Sequence, residues 1–460
     1  MITEIDKKAA KFCISYALEH GANHIRISLS KSVMDSISLL DGEVDKVSHN
    51  ADCSIYMYLF SDGKYGTFST NKLDEASLSS FIEKALEMVK LLGKDACWKL
   101  PEPERMEKNA KTGMELGLYD PAYEEITAQE RINTTLSMMQ AREVYKSLSK
   151  EEQEQFTVIC EESEYSDSTD DNYLIDSQGF EGRHCETSFT CFSEVTIQDK
   201  EGKKYSGYWW DASCKKENFD PTDCPAKALK KAFSQIGPKE MKSGHYNMVL
   251  DSSVSSRIVS PILSALNASS IQQKVSFLDD SLNKKIFPDG MTLMDLARSP
   301  EKAGSRLFDT EGVATKDRAI IEKGVVKQYF INTYMSAKMD LAPTIEDVTR
   351  PCLAPYLKSE SLKLAENDIN LEDILVFCGD GICVTSFNGG NCNPVTGDFS
   401  FGVEGFSFKN GRKTHPIKGM LITGNIIDLW QDLIAIGTDA RPCSRWQIPS
   451  LAFKGVSFSA

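Results

Sequence analysis

Histidine is scarce in this chain. There are six in 460 residues: His20, His24, His49, His184, His245 and His415. Neither His-Glu-x-x-His nor Cys-x-x-Cys occurs, so two common local spacings of zinc ligands are missing. No apolar run approaches the roughly 20 residues of a membrane span, and no membrane role is expected. Basic stripes are also lacking, and the formal net charge is −15. Phosphate backbones need clustered Lys and Arg, so nucleic acid is not an expected partner. No serine stands in Gly-x-Ser-x-Gly, and Gly389-Gly390 and Gly402 are not in a phosphate-cradling order,. The thirteen cysteines are odd in number and scattered, which fits free thiols in a reducing compartment better than a disulfide framework. The opening, Met1 to Lys8, is charged and reads as the lead into an amphipathic helix, not as a signal peptide,. A cytoplasmic location is expected.

What is present is a regular alternation of helix and hairpin signals. Ala9, Phe12, Cys13, Tyr16 and Ala17 recur on one helical face, which Gly21 ends,. Ile25, Ile27 and Leu29 alternate as a strand, as do Ile55, Met57 and Leu59; Asp41-Gly42 and Asp62-Gly63 are hairpin turns,. Leu78, Phe81, Ile82, Ala85, Leu86 and Val89 mark a second helix. Thr127 with Glu130 predicts a capping box at the head of a long helix,. Short strands are expected at Phe156–Cys160 and Tyr173–Asp176. Between them the run Glu161, Glu162, Glu164, Asp167, Asp170, Asp171 reads as a solvated acidic loop without the register of a calcium loop,. From Asp176 to Gly207 the turn pattern echoes that of the first hairpins, a weak internal repeat. Pro225 opens a helix carrying Ala228, Leu229, Ala232, Phe233 and Ile236, and Asn410-Gly411 signals another hairpin,.

These patterns predict an α+β fold. An N-terminal module of helix and hairpins covers residues 1–97, a linker 98–117, and a second α+β module resembling the first 118–238. A larger antiparallel, sheet-rich C-terminal domain covers 239–460.

Three segments carry a family resemblance. They are Ser305 to Thr315 (Ser-Arg-Leu-Phe-Asp-Thr-Glu-Gly-Val-Ala-Thr), Ile321-Glu322-Lys323-Gly324-Val325, and Asn393 to Ser400 (Asn-Pro-Val-Thr-Gly-Asp-Phe-Ser). Together they resemble the signature of the TldD/PmbA family, proteins first described as modulators of DNA gyrase and regarded as metallopeptidases. In the TldD branch a helix carries His-Glu-x-x-x-His, two zinc ligands and a carboxylate base. The matching segment here follows the strand-like Tyr246–Leu250, and an ungapped placement sets Ser260, Pro261 and Ala265 at those three positions. None of them can do that chemistry. The chain therefore resembles the other branch, PmbA or TldE, which lacks a metal of its own. The helix is expected to persist as structure on the stripe Val254, Ile258, Ile262 and Leu266, kinked or shortened by Pro261,.

The remaining metal candidates have plainer readings. His20 and His24 share a ligand-like spacing, but Gly21 breaks the helix between them. Cys378, Cys383 and Cys392, with His415 downstream, read as buried or idle thiols. Cys443 lies where the TldD branch places a third, cysteine ligand, yet a lone thiolate cannot hold zinc. No metal and no catalytic residue is expected on this chain. The turn at Asn393, Thr396 and Asp398 is either a self-capped loop or the lining of a cleft that takes an extended peptide.

The resemblance implies a subunit that pairs with a TldD-like metallopeptidase chain, the partner carrying zinc, to trim small unstructured peptides. Alone, the chain is expected to be capable of forming a homodimer. The rival readings are a non-catalytic peptide-binding scaffold and an autonomous hydrolase without metal.

Overall fold

The computed structural model describes residues 1–358 and 368–460. The fold is α+β, as the patterning predicts, and consists of two compact units.

The first unit comprises Met1–Phe233, Arg298–Thr315 and Asn332–Glu346. Its centre is one six-stranded antiparallel sheet in the order β3-β2-β1-β4-β5-β6. Strands β1 (His24–Leu40), β2 (Glu43–Ser61) and β3 (Lys64–Thr70) form one meander; β4 (Phe156–Asp176), β5 (Glu181–Asp199) and β6 (Lys204–Ser213) form another. The two join along β1 and β4, antiparallel. The turns of the first meander are the two Asp-Gly dipeptides. Asp41, Gly42, Asp62 and Gly63 all have positive φ, the backbone that matches the strands' twist and that Asp and Gly tolerate.

Helices α1 (Glu4–Glu19) and α2 (Glu75–Lys90) cover the first meander. Ala9, Ala10, Cys13 and Ala17 of α1 are small, so the helix lies close to Ile25, Ile27, Leu29, Ile55, Met57 and Leu59, all fully buried. Each large side chain so buried contributes about 1.5–3 kcal/mol before the entropy of ordering is subtracted. Gly21, at φ +102°, follows the helix as expected. His20 caps it, its Nδ1 2.7 Å from the Tyr16 carbonyl.

The second meander is covered by α3 (Ala128–Ser137), α4 (Ala141–Ser147), α5 (Lys150–Gln153) and α6 (Cys224–Phe233). Where one long helix was expected there are three short ones. Thr135 and Ser137 bond back to the carbonyls of Arg131 and Thr134, and Ser149 starts a new capping box with Glu152. Only half of the expected box at Thr127 forms. Its hydroxyl accepts from the Glu130 amide at 3.2 Å, while the Glu130 carboxylate turns to Lys216. Gly207 admits α6 against β6, since a Cβ there would stand 2.2 Å from the Ala232 nitrogen. Helix α9 (Thr333–Met339) also belongs to this unit.

The acidic run is not a loop. It is the middle of β4, with Glu161, Ser163, Tyr165, Asp167, Thr169, Asp171 and Tyr173 buried in alternation. Burial of those carboxylates is possible because each is bonded. Glu161 accepts from the Ala141 amide at 2.6 Å, Asp167 takes Arg131 in a fork at 2.8 and 2.8 Å, and Asp171 takes Arg183,. On the opposite face Ser28, Ser30, Ser32, Ser166, Ser168 and Ser188 are all only half-buried.

The second unit comprises Ser234–Ala297, Lys316–Ile331 and Asp347–Ala460. Strands β7 (Gly244–Leu250), β13 (Gly381–Cys392), β14 (Asp398–Lys409), β15 (Arg412–Asn425) and β17 (Leu451–Ser459) pair in succession, and β17 pairs back onto β7 to close a barrel. β16 (Leu433–Ile436) and β12 (Tyr356–Leu357) extend it beside β17. The β14–β15 turn is the expected Asn410-Gly411, at φ 50° and 72°. A smaller sheet joins β8 (Leu293–Asp295), β9 (Arg318–Glu322), β10 (Val325–Val326) and β11 (Pro351–Leu353). Helices α7 (Ser256–Ala265), α8 (Ala268–Gln272), α10 (Leu371–Cys378) and α11 (Ile426–Gln431) complete the unit.

Candidate functional site

In the second unit β7 leads directly into α7. The Asp251 carboxylate accepts from the Ser253 amide at 2.8 Å, and its carbonyl accepts from the amides of Val254 and Ser255, a tight turn that starts the helix. Ile258, Ile262 and Leu266 are fully buried, so the apolar stripe packs as predicted; Val254 is half-buried ahead of the helix. Pro261 does not end the helix, which runs on to Ala265. Its cost is one donor, since the ring offers no N–H to the Arg257 carbonyl. Arg257 fixes the helix to the β13–β14 hairpin. It donates to the Gly390 carbonyl at 2.9 Å and lies 5.0 Å over the ring of Phe401,.

Ser260 and Pro261 are half-buried on α7 and Ala265 is buried. These three side chains offer one weak hydroxyl, a ring without a donor, and a methyl group. Zinc takes imidazole, thiolate or carboxylate ligands, usually four. The three residues expected at the ligand positions therefore do not fit the ion. Among the described residues no group of three or more His, Cys, Asp or Glu side chains is placed to hold a metal.

The other sequence candidates fall apart in space. Cys378, at the end of α10, and Cys383, on β13, sit in one apolar cluster with Val249, Phe408 and Ala452. Burial pushes the Cys378 thiol up to about 12 and also raises Cys383 well above the ordinary thiol value, which disfavours the thiolate that a metal needs. Cys392 ends the same strand nine residues on, roughly 25–30 Å away along the strand, with its thiol 3.7 Å from the Asn393 carbonyl. His415, on β15, meets Ser407 at 3.1 Å, and burial lowers its pKa. Cys443 is half-buried.

The Asn393–Asp398 turn connects β13 and β14 and is exposed. Its polar groups bond mostly within the second unit. The Asn393 side chain accepts from the Val395 amide at 2.9 Å, and the Thr396 hydroxyl donates to Asp398 at 2.7 Å. The Asn425 amide donates to both the Thr396 carbonyl and the Asp398 carboxylate, at 2.8 and 3.0 Å. These bonds hold Asp398 below the usual carboxylate range. The turn is thus exposed and held by its own side chains and Asn425.

One acidic knot, with Glu311 buried and Asp309 half-buried, lies within the first signature segment. In the first unit Asp309 accepts from the amides of Glu311 and Val313, both at 2.9 Å. Glu311 accepts from the Thr333 amide and hydroxyl at 2.9 and 2.8 Å, with Arg26 4.0 Å away. Burial, and then the charge of Glu311, raise Asp309 to about 6. The Asp309 bonds are local, whereas the Glu311–Thr333 bonds tie the 298–315 and 332–346 segments together across 22 residues, too far to be read from spacing.

Known proteins place this architecture. Models of the PmbA/TldA metallopeptidase domain 1, central domain and C-terminal domain match residues 26–89, 121–236 and 243–460. The chain is 24% identical over 453 residues to the metalloprotease PmbA of Escherichia coli O157:H7, covering 97% of this chain and 95% of that one. A Bacteroides thetaiotaomicron protein named for modulation of DNA gyrase has a crystal structure that superposes with a TM-score of 0.91, at 37% identity and with both chains covered in full. TldE from Thermococcus kodakarensis shares the fold at a TM-score of 0.80 and 18% identity, over 98% of this chain and 100% of that one. With all three domains matched in order, and a relative at this identity along its whole length, the chain belongs to the PmbA/TldD metallopeptidase family.

Proposed function

We propose that this chain is the TldE-type subunit of a two-chain peptidase, the one that carries no zinc, and that a TldD-like partner holds the metal and performs the hydrolysis. The observation that carries this reading is α7. It keeps the buried stripe and the Arg257 anchor, yet has Ser260, Pro261 and Ala265 where the family's ligands and base would stand. A helix retained as structure without its chemistry fits a positioning subunit, whose contribution is orientation of the substrate. The exposed turn of Asn393, Thr396 and Asp398 is the proposed rim for an extended peptide. The hydroxyl-rich face of the six-stranded sheet suits small, unstructured peptides, which present backbone groups and not a fixed surface. The proposed setting is the cytoplasm; no helix among the described residues is long and apolar enough to cross a membrane.

Elemental analysis of the purified chain, joined to a peptide-cleavage assay, tests this. The expected result is well under one zinc per chain after dialysis and no cleavage by the chain alone. One zinc per chain, or robust cleavage in chelator, would overturn the proposal.

A further inference from the structure

Two arginines are buried among the described residues, Arg26 and Arg350, at 6% and 7% exposure. Arg26 has an acid at 4.0 Å, Glu311, and lies 4.3 Å over the ring of Tyr58. Arg350, in the second unit, has neither. Its Nε is enclosed without a hydrogen-bond partner, and its guanidinium makes no ion pair with a described residue. Burial holds its pKa below the ordinary 12.5; Cys352 and then Asp317, itself exposed, act against this. A buried charge without a counter-ion costs folding free energy, so the position points to an anion from outside the chain.

The backbone at this position is fixed. The Arg350 amide donates to Asp295 Oδ1 at 2.8 Å, and its carbonyl accepts from the Leu296 amide at 2.9 Å, beside the β8–β11 pair. The Thr349 hydroxyl donates to Asp295 on one face of this small sheet. Alternation puts Arg350 on the other face, with Met294, Leu296 and Cys352, all half-buried. One enclosed cation on a half-buried, largely apolar face suits a singly charged ligand with an apolar flank. A carboxylate meets the planar guanidinium through two parallel hydrogen bonds and cancels its charge. A phosphate dianion would bring excess charge into the same enclosure. We propose that Arg350 anchors a carboxylate subsite, which takes the chain end or an acidic side chain of an unstructured peptide. That the ligand is a peptide rests on the function proposed above; that it is a carboxylate does not.

Isothermal titration of the full chain alone, without zinc or a partner, tests it. Three peptides of one apolar sequence are compared: a free C-terminal acid, its amide, and an amide with an internal glutamate. The free acid or the glutamate peptide should bind at least about tenfold tighter than the plain amide, and whichever does identifies the source. Arg350→Gln should erase the difference, and Arg350→Lys, which keeps the charge but not the fork, should recover part of it. N-acetylleucine against its amide tests the carboxylate apart from any peptide. If only this small acid binds through Arg350, the carboxylate site stands and the peptide reading falls. Without ligand, Arg350→Gln should melt no lower than the wild type, since the charge it removes is uncompensated. No preference for acid over amide in either series, a preference that survives Arg350→Gln, or a variant that melts well below the wild type would each overturn the assignment.

Discussion

Arg183 grips both oxygens of Asp171 across the β4–β5 pair, Nε to Oδ1 at 2.9 Å and Nη2 to Oδ2 at 2.6 Å. Asp171 also accepts from the Ile2 amide at 2.6 Å, so the same carboxylate holds the start of the chain against the sheet. Although burial alone would raise it, Arg183 and the Ile2 amide bring its pKa below the ordinary 3.8. A group of that kind stabilises the fold above its unfolded pKa and loses that contribution as pH falls through the folded value.

Arg183→Met should therefore cost about 3–5 kcal/mol at neutral pH, by stranding a buried carboxylate. The deficit should shrink in acid, where Asp171 of the variant takes up a proton. Urea denaturation at neutral and at low pH measures both; a loss under about 1 kcal/mol would mean the pair is dispensable.

Asp309 has the opposite sign. Its folded pKa of about 6 lies above the ordinary 3.8, so its charge opposes folding above pH 6, and this penalty fades as pH drops from 6 toward 4. Asp309→Asn keeps the acceptor for the Glu311 and Val313 amides and removes the charge. Its Tm should exceed the wild type's by roughly 2–4 °C at pH 8, with the gap closing by pH 4. A gap that is absent at pH 8, or that widens in acid, would contradict the burial argument.

Much of this fold can be read along the chain. The α1 face, the alternation of Ile25, Ile27 and Leu29, and the Asp-Gly and Asn-Gly turns all rest on neighbours within a few residues. The middle of β4 cannot be read that way. Its carboxylates look solvated until Arg131, 36 residues from Asp167, and Arg183, 12 from Asp171, are brought to them by the folding of α3 and β5. The same holds for the candidate site. The positions Ser260, Pro261 and Ala265 follow from the resemblance to the family's motif, whereas the bonds from Asn425 to the Thr396–Asp398 turn and from Arg257 to Gly390 are tertiary and leave no local trace.

Restoring two histidines should not restore a metal site. Ser260→His with Ala265→His leaves Pro261 in place of the base and supplies no third ligand. Isothermal titration with zinc should show no site tighter than wild type, and peptide cleavage should stay at background. A zinc-dependent peptidase from these two changes would show that the site has been misjudged.

Nucleic acid should not bind the pure chain. The net charge of −15 repels a phosphate backbone,. Fluorescence anisotropy with duplex DNA at low salt should show no saturable binding; tight binding with a steep salt dependence would refute this.

The central claim is that this chain completes a peptidase whose metal sits on another subunit. Titrating it into a fixed amount of a TldD-like chain, with an unstructured peptide as substrate, tests that claim most directly. Cleavage should rise with added chain to a plateau at a fixed ratio. It should vanish on chelation, return with zinc, and be unchanged by Cys443→Ser in this chain. If the TldD-like chain alone cleaves just as fast, and the addition changes nothing, this protein is not a working part of the enzyme.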